Sequence, residues 1–158
     1  MIINSTRELT EEDRQEQIKK ERDTIYDAWQ ARWDTTDKGR WTYRFFPNIR
    51  KRMETPIWLN HNVVQFLSGH GDFRSKLYQF NLKDTPLCTC LQGDETPDHI
   101  IYECNIHLES RQRLELEVHR AGHIWPCEPH IFITTKALYK AFSSFAVEVL
   151  ERKKSNEE

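Results

Sequence analysis

Long apolar runs are missing from this chain. Nothing in its 158 residues approaches the roughly 18 consecutive apolar residues that span a bilayer, so no membrane-spanning segment is expected. Also missing is an N-terminal basic stretch followed by an apolar one, which argues against secretion and for an intracellular protein, in nucleus or cytoplasm. Apolar content is low, 37% against 30% charged, with a mean hydropathy of −0.79. A typical globular domain holds about 45–50% apolar residues with glycine counted. Positive charge is not in excess either. A net charge of −2 and a pI near 6.4 exclude a uniformly basic nucleic-acid coat, so any contact with nucleic acid must be local.

What the chain does have is aromatic: five Trp, five Tyr and eight Phe, concentrated in its middle. A modest core can form from these, and a staple would help it. The pattern reads as mainly α, a small helical domain with long N- and C-terminal helices around an irregular, cysteine-bearing centre. Residues 1–9 lack periodicity and are expected to be a flexible N-terminus. Thr10 is a plausible N-cap for a helix over 10–34, with Glu11, Glu12 and Asp13 in its first turn. The early turns look solvated, and the end bearing Trp29 and Trp33 looks docked. Thr55-Pro56 reads as the start of a helix that stops at Gly69, and Asp72 as the cap of a short one after it. Residues 109–120 suit another helix. A last helix, capped by Thr134 or Thr135, carries Leu138, Phe142, Phe145 and Val149 on one stripe. The helix-rich domain should run over 10–150, with its knuckle at 86–104 and a disordered tail at 151–158.

Three of the four cysteines lie close together, and a histidine falls between them: Cys88, Cys90, His99 and Cys104, spaced C-x-C-x8-H-x4-C. Three thiols and an imidazole are poor material for two disulfides and good material for one Zn2+, which favours four such ligands in a closed structural tetrahedron. A catalytic zinc generally keeps an open position with three protein ligands. Glu95 and Glu103 are the nearby general-base candidates for such a site, and no catalytic residue is assigned. Gly93 can supply the reversal between the ligand pairs. Thr96-Pro97 starts a helical turn bearing His99. An ideal α-helix would carry Cys104, five positions on, roughly 140° away from His99, so the helix should be short and break between Tyr102 and Cys104. Cys127 and His130, spaced C-x2-H, could form half of a second site, although no matching pair is evident.

Residues 38–53 hold six basic side chains and no acid, with aromatic residues interleaved. The alternation around Trp41 and Tyr43 suits an extended segment interrupted by Pro47. Cations for phosphates and rings for unpaired bases fit RNA or single-stranded DNA. The candidate contacts are Lys38, Arg40, Trp41, Tyr43, Arg44, Arg50, Lys51 and Arg52. The same composition also suits a thin aromatic core covered by arginines; of the segment, Arg50, Lys51 and Arg52 are the least easily explained by packing.

Several stretches together resemble a known family. They are Trp29-Gln30, Trp33-Asp34, Lys38 to Tyr43, Pro47-Asn48-Ile49, Gln65 to Phe73 with its Ser-Gly-His-Gly block, and the Cys88 to Cys104 element. They are similar to the region beyond the reverse transcriptase in jockey-like LINE-type (non-LTR) retrotransposon polyproteins. The resemblance runs from about Trp29 to Arg111. It implies a zinc-knuckle domain that helps an RNA-directed DNA polymerase engage RNA template or target DNA, with the four metal ligands carried over. The Tyr/Phe-x-Asp-Asp motif of a polymerase is absent from the chain, and 158 residues leave no room for an endonuclease. The chain is then expected to be a non-catalytic fragment, a degenerate copy or a domain serving a host; Met1 and the closing helix favour a free-standing product. Its partners would be nucleic acid and possible protein partners, a reverse transcriptase or a host protein. The alternative is a protein-interaction adaptor with a merely structural zinc, docking through an end helix at Trp29 or Phe145.

Overall fold

The computed structural model describes residues 10–157; the expected flexible segment 1–9 lies outside them. Helix α1 (Glu11–Thr35) opens with a capping box. The Thr10 hydroxyl accepts from the Asp13 amide at 3.1 Å, and the Asp13 carboxylate accepts from the Thr10 amide at 3.0 Å. None of its residues is buried. The second half is tied down, but not through its apolar spacing, since Ile25, Ala28 and Trp29 are exposed; hydrogen bonds hold it. Trp33 Nε1 donates to the Phe46 carbonyl at 2.7 Å, and Gln30 bridges the Pro47 carbonyl and the Ile49 amide.

Residues 38–53 are not extended. They form two six-residue helices, α2 (Arg40–Phe45) and α3 (Ile49–Glu54), divided at Pro47. The apparent alternation concealed an i,i+4 pair, Trp41 and Phe45, whose rings lie 6.0 Å apart on one helical face. Complete burial of Phe45 outweighs the β-propensity of the segment. The next helix, α4 (His61–Ser68), begins later than expected. Thr55 before Pro56 is extended, as a residue preceding proline prefers, and the N-cap is Asn60, which accepts from the Val63 amide at 2.9 Å. α4 does stop at Gly69, in the left-handed conformation. Helix α5 (Arg74–Gln79) is not capped by Asp72. The Glu95 carboxylate accepts from the Arg74 amide at 3.0 Å instead.

Helix α6 (Leu108–Arg120) packs against α7 (Lys136–Glu157), which also contacts α4 and a 3-10 turn at Pro129–Ile133. Thr135 caps α7 through the Leu138 amide, and the stripe Leu138, Phe142, Phe145 and Val149 is buried as expected. Phe132 stacks on Phe142 with centroids 4.8 Å apart, and Phe66 meets Phe73 edge-on at 5.2 Å. Burial of Phe145 removes it as a docking residue for a partner. The chain end is also corrected. Residues 151–157 continue α7 rather than forming a disordered tail, because Lys153 is buried against Glu95 and the Asp72 carbonyl. Among the described residues there is no strand, only a single antiparallel bridge between Leu87 and Asp94. The molecule is mainly α, with its Cys/His cluster at the centre. No described helix is long and apolar enough to cross a membrane.

Candidate metal centre

The bridge between Leu87 and Asp94 folds the first half of the knuckle back on itself. Cys88 N donates to the Gly93 carbonyl at 2.8 Å, and Glu95 N to the Pro86 carbonyl at 2.8 Å. The reversal is made by Leu91, at φ 62°, and not by Gly93. Gly93 instead lies beneath the His99 ring, where a Cβ would sit 3.6 Å from Nδ1. Both cysteine side chains thereby face the second half.

That half starts as expected, with Thr96 Oγ1 accepting from the His99 amide at 3.1 Å. Residues His99–Glu103 then widen into a π turn, closed by Cys104 N donating to the His99 carbonyl at 2.7 Å. The helix ends at the expected place. The widening is what an α-helical count cannot anticipate: a ring closed five residues on returns Cys104 to the His99 side. Ile100 and Ile101 anchor the turn in the core, and buried Arg111 donates to the carbonyls of Ile101 and Cys104.

The four predicted ligand atoms all lie within 4.8 Å of one another. Cys88 Sγ is 3.8 Å from Cys104 Sγ, and Cys90 Sγ is 3.2 Å from His99 Nε2. Metal–ligand bonds of about 2.0–2.3 Å in a tetrahedron separate neighbouring ligands by roughly 3.3–3.8 Å, so the donor set is compatible with one metal ion. Backbone amides point at the sulfurs: Gln92 N donates to Cys90 Sγ at 3.4 Å, and the amides of Cys90 and Ile106 serve Cys88 and Cys104. His99 Nδ1 lies 3.2 Å from the Glu103 carboxylate, which holds Nε2 toward the sulfurs. Burial pushes the Cys88 thiol up to about 12 and raises that of Cys104. At Cys90 desolvation pulls the same way, but hydrogen bonds from Gln92 N–H, Cys88 and His99 prevail and bring it to about 7. A cation entering the group would displace these protons, and four potential protein ligands stand ready to enclose it.

Cys127 and His130 join no group of three or more metal-ligating side chains among the described residues. Among the described residues the Cys88, Cys90, His99 and Cys104 group is the one such cluster. Half-buried Cys127, its thiol pushed up to about 11 by burial, shares its loop with Trp125 and lends its carbonyl to the Tyr102 hydroxyl.

Most cations of 38–53 face the protein. Arg40 lies over the Tyr43 ring at 4.3 Å and donates to the Trp33 carbonyl, and Tyr43 donates to Asp34. Arg44 pairs with Asp98 at 2.7 Å and covers Trp41, whose indole donates to the Phe66 carbonyl. Arg50 reaches Asp23 at 2.7 Å and Asp27 at 2.6 Å, joining α3 to α1. Lys38 and Lys51 are exposed, and Arg52 lies over Phe46. Sequence reasoning missed Glu95, Arg111 and Lys153 as supports of the centre: Glu95 and Lys153 meet partners distant in sequence, and Arg111 reaches back from α6 to backbone carbonyls of the π turn.

No family model and no solved structure matches the chain. Curated polyproteins do. A Pol polyprotein of the type-1 retrotransposable element R1 from Bradysia coprophila is 34% identical over 89 residues, 55% of this chain and 9% of the relative. The R1 polyprotein of Popillia japonica is 33% identical over 90 residues, 55% of this chain and 34% of the relative. A putative 115 kDa protein in element R1DM of Drosophila melanogaster is 31% identical over 135 residues, 83% of this chain. The chain is related to R1-type non-LTR retrotransposon polyproteins. It spans only 13% of the length of the Drosophila relative and at most about a third of the other two.

Proposed function

We propose that this chain is a non-catalytic, zinc-stapled module that binds RNA or single-stranded DNA, corresponding to a C-terminal part of an R1-type polyprotein. The observation that carries the reading is the convergence of three thiols and an imidazole within 4.8 Å. Zn2+ held by Cys88, Cys90, His99 and Cys104 would supply a structural cross-link. The kinship to retrotransposon polyproteins makes nucleic acid the natural partner, with a reverse transcriptase or host protein alongside.

Within the basic segment, Lys38, Lys51 and Arg52 supply phosphate contacts, while Arg40, Arg44 and Arg50 fix the helices that carry them. Filter binding to single-stranded RNA tests this. Affinity should be measurable at about 50 mM salt and fall steeply by about 200 mM, as released counterions require. Undetectable or salt-independent binding overturns it. Metal analysis should find one zinc per chain, and cobalt substitution a tetrahedral thiolate spectrum.

The adaptor reading draws on a different observation, the exposed apolar side chains Trp58 and Leu59, 60% and 57% accessible. Recovery of a protein partner that depends on Trp58, without nucleic acid, would favour it.

A further inference from the structure

Phosphate-binding side chains need to be free, and three of the six cations in 38–53 are not. Arg44 and Arg50 hold carboxylates, and Arg40 is spent on backbone carbonyls. Lys51 and Arg52 hold none. They stand side by side on α3 at the edge of a cavity of about 420 Å3, bounded across from them by the 3-10 turn Pro129–Ile133. Its apolar wall is Phe46, Pro47 and Ile133, and His130 adds an imidazole. Among the described residues, none of Lys51, Arg52 and His130 is paired with a carboxylate.

We infer that this cavity is a nucleotide seat, taking one unpaired base of a single strand against Phe46, Pro47 and Ile133 with its phosphate at Lys51, Arg52 and His130. The inference rests on the nucleic-acid reading and names where on the surface that reading is realised. Small-molecule sites have this size and makeup, a largely apolar hollow with a few polar groups aimed into it. The Arg52 guanidinium lies 5.1 Å above the Phe46 ring. It offers a flat cationic face, and unpaired bases stack on guanidinium planes as they do on aromatic rings. Trp41 and Tyr43, the rings first suggested for stacking, do not line this cavity, so the base seat moves from α2 to the α3 side of the segment. One acid, Glu54, lines the same cavity. It repels a phosphate and keeps the empty seat from attracting anions indiscriminately.

The test uses the full zinc-loaded chain and fluorescent short single-stranded RNA and DNA, with an abasic strand and a free mononucleotide for comparison. Lys51→Gln/Arg52→Gln should weaken strand binding about tenfold or more. Lys19→Gln/Lys20→Gln, which removes the same charge from exposed positions of α1, should change it less than about twofold. Thr134→Trp fills the cavity at constant charge and should weaken binding like the double variant, while Glu54→Gln should tighten it. The abasic strand should bind more weakly than the intact one, and the free mononucleotide weakly but in competition.

If the wild-type chain binds neither strand, the nucleic-acid reading falls and takes the seat with it. If it binds but the α3 and α1 double variants are alike, or the abasic strand binds as well as the intact one, the seat alone is wrong. Thermal unfolding checks each variant. Should Thr134→Trp not fold, the double variants, which alter exposed or half-exposed side chains, still decide.

Discussion

Gly69 and Gly71 flank His70 in a block that reads like a motif, yet what surrounds them is packing. Gly69 has φ 69°, and a Cβ there would meet the Trp41 ring at 2.8 Å. A Cβ on Gly71 would run into the Gln65 side chain, whose carbonyl oxygen accepts from the Asp72 amide at 2.7 Å. His70 itself is exposed, its ring beside the Ser68 carbonyl. The block is therefore a helix stop with two close approaches. Gly69→Ala should lower stability by at least about 1–2 kcal/mol, the usual cost of a left-handed non-glycine residue, with a further loss from displacing Trp41. Urea denaturation reads this out; an unchanged midpoint would mean that the Trp41 contact is not made. The sequence showed that a glycine stops α4 here. It could not show that the indole of Trp41, far earlier in the chain, lies on it.

At the scale of elements, the π turn is the part that sequence counting handled least well. Helical spacing placed His99 and Cys104 on different sides, and a break was the simplest remedy. A local widening achieves the same end while keeping Ile100 and Ile101 in the core. The turn is held from outside by Arg111 on α6. Arg111→Met should strand two buried carbonyls, cost about 2–3 kcal/mol and weaken cobalt binding in a spectroscopic titration. Arg111→Lys, which keeps the charge but not the fork, should restore only part. Wild-type cobalt affinity in Arg111→Met would separate the turn from this support.

Helix α7 reaches the same centre from the other direction. Lys153 meets Glu95, itself 3% exposed, within the knuckle, and Glu95 also receives the Arg74 amide. Breaking a buried pair leaves an uncompensated charge, so Lys153→Met should destabilise by about 3 kcal/mol, measured by chemical denaturation. Truncation after Leu150 should do the same. A truncated chain as stable as the full one would mean that the last turns are ornamental. Composition alone suggested a solvated tail because six of the last eight residues are charged; one of them, buried Lys153, reverses that reading.

In the whole molecule the Cys/His cluster lies where separate parts meet: α5 through Glu95, α6 through Arg111 and α7 through Lys153. Metal binding is consequently expected to be coupled to folding. Chelation of purified protein, or Cys104→Ala, should lower the unfolding temperature markedly and broaden the transition, as calorimetry would show. Metal affinity should fall as the pH is lowered, because the thiols of Cys88 and Cys104, already reluctant to ionise when buried, must release protons to bind it. Retention of a sharp, unshifted transition without metal would assign the stability to the phenylalanine core alone.

That Cys88, Cys90, His99 and Cys104, within 17 residues, would come together was legible in the linear chain because the constraint linking them is local. So were the caps of α1 and α7, Thr10 and Thr135, and the buried stripes of α6 and α7. The basic segment was not. Whether Arg50 meets solvent or Asp23 and Asp27, and whether Trp41 offers a ring or buries it against Gly69, depends on which distant element arrives alongside. Burial belongs to the assembled fold and not to any one stretch of residues, so charge and aromaticity named the candidates and packing chose among them.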